Sequence, residues 1–380
     1  MSLPKRQRFR FAVIGLIFGA AALGGCVSTP TQPDKAPVAV GPTFYPSPPN
    51  PPRIQYLTTI ASERDLTGKK DALADFILGE ERNAQTLSQP YGIAMFGSKL
   101  YVADTGAGGL AVFDLALQRH TLFTGSSNGR FKKPINIRID RDGTKYVTDT
   151  GRDQILVYAP DDRYLGAFGT AEQFRPVDVA IAGERLYVTD IKHHEVQVLD
   201  KRSGQLLFKF GKAGTGIGEL FQPTNLAIGP QGDIFVVDTG NYRVQRFTPE
   251  GTPVSSFGSV GQTLGSFARP KGIAIDRTGR IYVGDAAFQN VQIFNDQGKL
   301  LLFFGQSENP DQALNLPSGV TIDYANVAAF RRFAAPKFEV EYLIMVASQF
   351  GPNKVDIFGF GRMAGMDYPP ETPAAVRPAP

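Results

Sequence analysis

The sequence predicts an all-β fold, a six-bladed β-propeller closed by a strand from its own N-terminal side. Three observations predict it. A Pro-led segment recurs at Pro90, Pro134, Pro176, Pro223, Pro270 and Pro317, with spacings of 44, 42, 47, 47 and 47 residues. Each copy holds several short apolar runs separated by Gly- and Asp-rich turns, and a period in the forties with several strands per unit builds a propeller or array. The chain has 28 Phe, 13 Tyr, no Trp and one Cys. Aromatics of that size suit the gaps between neighbouring sheets, and a lone Cys rules out a disulfide framework.

Residues 1–25 open with Lys5, Arg6, Arg8 and Arg10, then an apolar run from Phe11 to Leu23. The run is too short to cross a bilayer as a helix, and basic-then-apolar order is the pattern of a secretory leader. Leu23-Gly24-Gly25-Cys26 resembles the bacterial lipobox. The resemblance implies cleavage before Cys26, a thioether-linked diacylglycerol on its sulfur, an acylated amino terminus, and membrane attachment through those chains. Val27 follows the Cys where an Asp would favour inner-membrane retention, which leans towards the outer membrane and a periplasm-facing domain. Residues 26–53 read as a Pro-rich linker, with nine prolines between Pro30 and Pro52. Residues 54–363 form the propeller, and 364–380 a second Pro-rich, disordered tail.

The leader also accounts for the charge. The chain carries 40 Lys+Arg against 36 Asp+Glu, a net +4, and the leader holds four of those cations and no acid. The remainder is neutral, so a wholesale basic surface for nucleic acid is excluded while a local basic face is not. The three histidines, His120, His193 and His194, argue against a three-histidine metal centre.

Within the domain, residues 63–85 mix Leu73, Phe76, Ile77 and Leu78 with charges and read as a short amphipathic helix. The fifth copy shows the repeat most clearly. A strand at 272–275 is followed by a turn at 276–279, then strands at 281–283, 291–294 and 300–304. Several of these strands are apolar at consecutive positions, as expected of sheets covered on both faces. The runs PTNLAIGPQGDIFVVDTG from Pro223 and PKGIAIDRTGRIYVGDA from Pro270 resemble the NHL repeat, and six copies resemble a six-bladed NHL propeller. The sixth copy departs most, with residues 330–341 inserted, and it ends after residue 358, one strand short. The run from Arg53 to Thr58 is expected to supply that strand, because an open ring would expose an edge.

Asp104-Thr105-Gly106, Asp149-Thr150-Gly151 and Asp238-Thr239-Gly240 look like aspartic-protease triplets, with Asp190 and Asp285 in the same phase. All five end a second strand, where Asp caps backbone N–H groups and Gly turns the chain, so the reading is structural. The Gly-rich runs 211–218 and 258–265 lack the Lys-Ser/Thr of a phosphate loop and read as blade connections.

Two sets of residues carry functional expectations. Two positions after each repeat Pro stand Gly92, Asn136, Asp178, Asn225, Gly272 and Gly319. Asn136, Asp178 and Asn225 are therefore expected together at the channel mouth, either as strand caps or as oxygen ligands for Ca²⁺. The same face is expected to collect Lys133, Arg152, Arg175, Lys192, His193, Arg243, Arg269 and Lys271, either as scattered solvated charges or as a site for an anionic partner. The expected function is a lipid-anchored, monomeric scaffold that binds an envelope protein or anionic ligand through one face. The alternative is a divalent-metal-dependent hydrolase or lyase of lactonase type, with its site at the channel mouth. Some NHL propellers bind RNA on this face, but the expected export and lipid anchor argue against a nucleic-acid partner here.

Overall fold

The computed structural model describes residues 41–67, 86–170, 172–307 and 309–369. The leader, the lipobox with Cys26, and most of the expected helix lie outside them. The one described turn of that helix is α1 (Arg64–Thr67).

The strands run β1 (Phe44–Tyr45), β2 (Ile54–Ile60), β3 (Pro90–Phe96), β4 (Lys99–Asp104), β5 (Gly109–Asp114), β6 (Arg119–Phe123), β7 (Pro134–Ile139), β8 (Lys145–Asp149), β9 (Gln154–Tyr158), β10 (Tyr164–Phe168), β11 (Pro176–Ala182), β12 (Arg185–Asp190) and β13 (Glu195–Asp200). They continue as β14 (Leu206–Phe210), β15 (Pro223–Ile228), β16 (Ile234–Asp238), β17 (Arg243–Phe247), β18 (Pro253–Phe257), β19 (Pro270–Ile275), β20 (Ile281–Asp285), β21 (Asn290–Phe294), β22 (Leu300–Phe304), β23 (Pro317–Asp323), β24 (Phe338–Ser348) and β25 (Val355–Met363). Blades 1 to 5 are four-stranded antiparallel sheets in sequence order. The sixth sheet has the order β1-β2-β25-β24-β23. Every repeat Pro begins an innermost strand.

The chain therefore closes as the sequence predicts. β2 pairs antiparallel with β25, from Ile54 opposite Phe360 to Ile60 opposite Val355. The structure adds β1, which pairs with β2 at Phe44–Gln55 and Tyr45–Ile54. The folded body thus begins inside the segment expected to be linker through residue 53. At the other end, Tyr368 also docks on it: its hydroxyl accepts from Met363 N and donates to Pro52 O, both at 2.8 Å. Between β23 and β24 the chain folds as α2 (Val327–Phe330), which ends where the expected insertion starts, and a following 3-10 turn, and the last inserted residues lengthen β24.

Six apolar clusters fill the six gaps between neighbouring blades. Leu110, Phe131, Val147 and Tyr158 join blades 1 and 2, for example, and Ala274, Tyr282, Ile344 and Phe358 join blades 5 and 6. The cluster between blades 6 and 1 includes Leu57 and Ile60 of β2, Leu66 of α1 and Leu87. This is the two-faced burial that the unbroken apolar strands foretold. Nearer the axis, hydroxyls tie one blade to the next. Thr148 Oγ1 donates to Val177 O at 2.9 Å, Thr189 Oγ1 to Thr224 O at 2.6 Å, and Thr239 Oγ1 to Pro270 O at 2.9 Å. Ser318 Oγ reaches Pro90 O and Tyr91 O, both at 3.2 Å, across the seam between last and first blades. Backbones pack so closely here that a Cβ at Gly272 would lie 2.4 Å from Ser318 O, and one at Gly319 2.3 Å from Tyr91 O.

Candidate functional face and channel mouth

Second strands end, third strands start and blade connections cross on one face of the ring, called here the connection face. An aspartate belt holds it in place. Asp104 accepts from Ser88 N and Gln89 N of the incoming connection, at 2.6 and 2.9 Å, and from Gly106 N and Ala107 N of its own turn, both at 3.0 Å. Asp149 treats Lys132 N, Lys133 N, Gly151 N and Arg152 N the same way, and Asp285 treats Ala268 N, Arg269 N, Ala287 N and Phe288 N so. Each buried carboxylate is spent on amide hydrogens, which is the structural role expected of the Asp-Thr-Gly triplets. The Gly-rich runs are connections, as expected, with parallel bridges Ala213–Leu220 and Val260–Phe267.

The channel mouth differs from a cation site. Asp178 and Asn225 are brought together, and both are buried with Asn136. Asp178 Oδ2 already accepts from Arg138 Nη2 at 3.0 Å, Leu226 N at 3.2 Å and Asn225 Nδ2 at 3.4 Å, while Oδ1 accepts from Val179 N at 2.8 Å. Burial pushes the Asp178 carboxyl above its usual range, against the pull of the Arg138 guanidinium. Asn225 spends its oxygen on the Tyr91 hydroxyl at 3.3 Å. Asn136 keeps a buried, unpartnered Nδ2, and its Oδ1 accepts from Ile137 N at 3.3 Å. Guanidinium, amide N–H groups and an amide nitrogen face this point, so the donor set does not fit Ca²⁺, whose ligands must be free oxygens. The strand-capping alternative fits.

Tyr91 had no forewarning in the motifs. It stands one residue after the first repeat Pro, where the other blades place Ile135, Val177, Thr224, Lys271 and Ser318. Its ring packs with Ile135 and Val177, and its hydroxyl crosses from blade 1 to blade 4. The Lys271 ammonium lies 5.4 Å from the ring centroid and donates to Gln349 Oε1 at 2.6 Å. Together they cap the channel on the connection face. Burial, helped by the nearby Arg269 charge, pulls Lys271 down to about 8.

The eight expected cations do not form one free patch. Arg243 folds back onto Asp238, Gly216 O and Glu219 O, and Lys271 is buried as described. Arg175 pairs with Asp153 at 3.0 Å, Lys192 pairs with Glu172, and His193 Nδ1 lies 2.6 Å from Asp190 Oδ2. Arg152 donates to Arg130 O and Gln154 Oε1. Lys133 and Arg269 are exposed. These residues share a face, as expected, but most of their charge is matched by local acids or used in the frame. The same face instead exposes large apolar side chains. Ile217 and Phe221 stand on the connection to blade 4, Val260 and Leu264 on the connection to blade 5, and Phe350 on the blade 6 turn.

Residues 222–247, the fourth copy, match the family model of the NHL repeat. The chain carries an NHL repeat. Solved structures place the whole ring among propellers. A gluconolactonase from Xanthomonas campestris is 15% identical with a TM-score of 0.56, covering 84% of this chain and 95% of that one. A protein of unknown function from Bacteroides thetaiotaomicron is 17% identical with a TM-score of 0.55, covering 73% and 70%. A streptogramin B lyase is 13% identical with a TM-score of 0.50, covering 72% and 83%. At these identities the likeness speaks for the fold alone, and what this propeller does must be read from its own residues.

Proposed function

We propose that this NHL propeller is a lipid-anchored module of a bacterial envelope that binds a partner protein through its connection face. One observation carries the reading: five large apolar side chains stand on loops of that face, with Val260 69% and Ile217 61% exposed. Loops on a rigid ring favour binding, and an apolar crest rimmed by matched charges suits a protein surface better than a polyanion. A catalytic site at the channel mouth gains no support, since Tyr91 and Lys271 cap it and Asp178 is saturated. The tether rests on Cys26 in its lipobox context, followed by a Pro-rich spacer.

Two measurements test the two halves. A photoreactive amino acid placed at position 260 or 350 is expected to yield a discrete cross-linked adduct in intact cells. The same probe at Leu117, an exposed residue on a turn between third and fourth strands and so on the opposite face, should yield none. Adducts from neither face, or from both alike, would refute the binding face. Separately, Cys26→Ser should move the protein from the membrane fraction to the soluble periplasm, and continued fractionation with membranes would end the lipid assignment.

A further inference from the structure

Blades 3 and 4 share a seat at the start of their third strands but fill it with opposite charge. In blade 4, Asp238 pairs in register with Arg243. Arg243 Nε donates to Asp238 Oδ2 at 2.9 Å, and Nη2 donates to Gly216 O and Glu219 O at 2.7 and 2.9 Å. Gln245 completes the seat: its Nε2 donates to Glu219 O and Asp238 Oδ2, and its Oε1 accepts from Gly218 N at 3.0 Å. A permanent cation thus serves one carboxylate and two carbonyls, and the amide is satisfied at both ends.

In blade 3 the register is the same, with Asp190 opposite Glu195 and Gln197 two residues on. The guanidinium has become a second carboxylate. Ligand atoms from Asp190, His193 and Glu195 all lie within 4.8 Å of one another. Gln197 Nε2, with two hydrogens, faces three acceptors: Gln173 O at 3.1 Å, Asp190 Oδ2 at 3.2 Å and Glu195 Oε1 at 3.1 Å. Its Oε1 is buried with no hydrogen-bond partner, in a residue only 3% exposed. Lys209 Nζ approaches Glu195 from outside, at 3.0 Å from Oε2 and 3.2 Å from Oε1, on a side chain that is itself exposed. Three acceptors thus compete for the two hydrogens of Gln197 Nε2, and its orphaned amide oxygen needs only a half-turn of the amide to face the cluster.

We propose that the seat in blade 3 holds a divalent transition-metal ion of the Zn²⁺ class, ligated by Asp190, His193 and Glu195, with Gln197 supplying its oxygen or orienting the carboxylates. The ion replaces the charge that Arg243 supplies in blade 4. One imidazole with two carboxylates is a donor set for such a metal and not for Ca²⁺ or Mg²⁺. His193 lies on an exposed turn, which gives the ion entry and leaves a position for water. The site is distinct from the channel residues and does not depend on the binding face reading.

The test is Zn²⁺ titration of the purified, chelator-treated protein by calorimetry, with a thermal melt of the same samples. One Zn²⁺ per chain is expected, with a higher Tm when bound. His193→Ala should weaken binding by more than roughly tenfold, the smaller loss produced even by outer-shell changes. Glu195→Arg, which rebuilds the seat of blade 4, should abolish binding while the metal-free protein melts no lower than the wild type. His194→Ala should leave the titration unchanged, because His194 Nδ1 accepts from Gln222 N and its ring stacks on Phe221. No Zn²⁺ uptake by the wild type, or uptake that survives both His193→Ala and Glu195→Arg, would overturn the proposal.

Discussion

Ile54→Ala is expected to destabilise the ring by about 2–5 kcal/mol, the usual cost of deleting a buried aliphatic side chain. Ile54 is fully buried, with Tyr45, Phe304, Phe358 and Phe360 in the same cluster between blades 5 and 6. Its backbone pairs with Phe360 on one side and Tyr45 on the other. The loss should therefore be felt at three strands, and by the whole ring because closure is shared. Thermal or urea unfolding will read it, with Leu117→Ala as the control at an exposed site. A silent Ile54→Ala would mean that this segment is a linker lying on the surface.

Asp356→Asn is expected to act in the opposite sense and to do so only above acidic pH. Asp356 sits on β25 opposite Val346, where blades 3, 4 and 5 place Gln197, Gln245 and Gln292 opposite Val188, Val236 and Val283. Blade 6 also ends its second strand with Ser348 in place of the belt aspartate, so the acid has changed strands. Ser348 Oγ donates to Asp356 Oδ2 at 3.2 Å, while Oδ1 is buried without a partner. Burial pushes this carboxyl from 3.8 up to about 7, with Ser348 and Thr59 pulling weakly the other way. The folded state thus holds the proton more tightly than the unfolded chain. Its stabilising contribution is complete below pH 3.8 and is lost as pH rises through about 7. The climb corresponds to roughly 4 kcal/mol at most. Asn cannot ionise, so the variant should match the wild type near pH 4 and be the more stable protein at pH 8 to 9. Chemical denaturation across that range will show the divergence. Parallel pH profiles for the two proteins would mean that Asp356 ionises freely in the folded ring.

The blade number, the closing strand and the aspartate belt were legible because each repeats at fixed phase or sits where a fixed count leaves a gap. Pro at the start of each inner strand and Asp at the end of each second strand mark the same turn of the same sheet. β1 escaped because two residues between prolines carry no period. The cap on the channel escaped for a different reason: Tyr91 meets Asn225 and Lys271 across the ring, and no local spacing encodes a contact between blades 1 and 4. Their places on a turn and a strand start put Arg243 and Lys271 among the cations expected on the connection face. Turn position does not reveal that a guanidinium folds back onto Asp238, nor that a lysine stem lies over a tyrosine. Arg243 and Glu195 hold the same phase of the repeat, but the exchange gains meaning only once each is seen to face the belt aspartate of its own blade, Asp238 or Asp190.

Native-state hydrogen exchange of β2 tests the closed ring most directly, since exchange reports the free energy of opening each amide. The amides of Thr58 to Ile60 that bond to β25, where these residues stand opposite Ile357 to Val355, should be protected to the same degree as those of Leu343 to Ala347 in β24, because one cooperative ring holds both. Exchange of β2 at the rate of an unprotected segment, while β24 stays protected, would contradict a ring sealed by its own N-terminal strand.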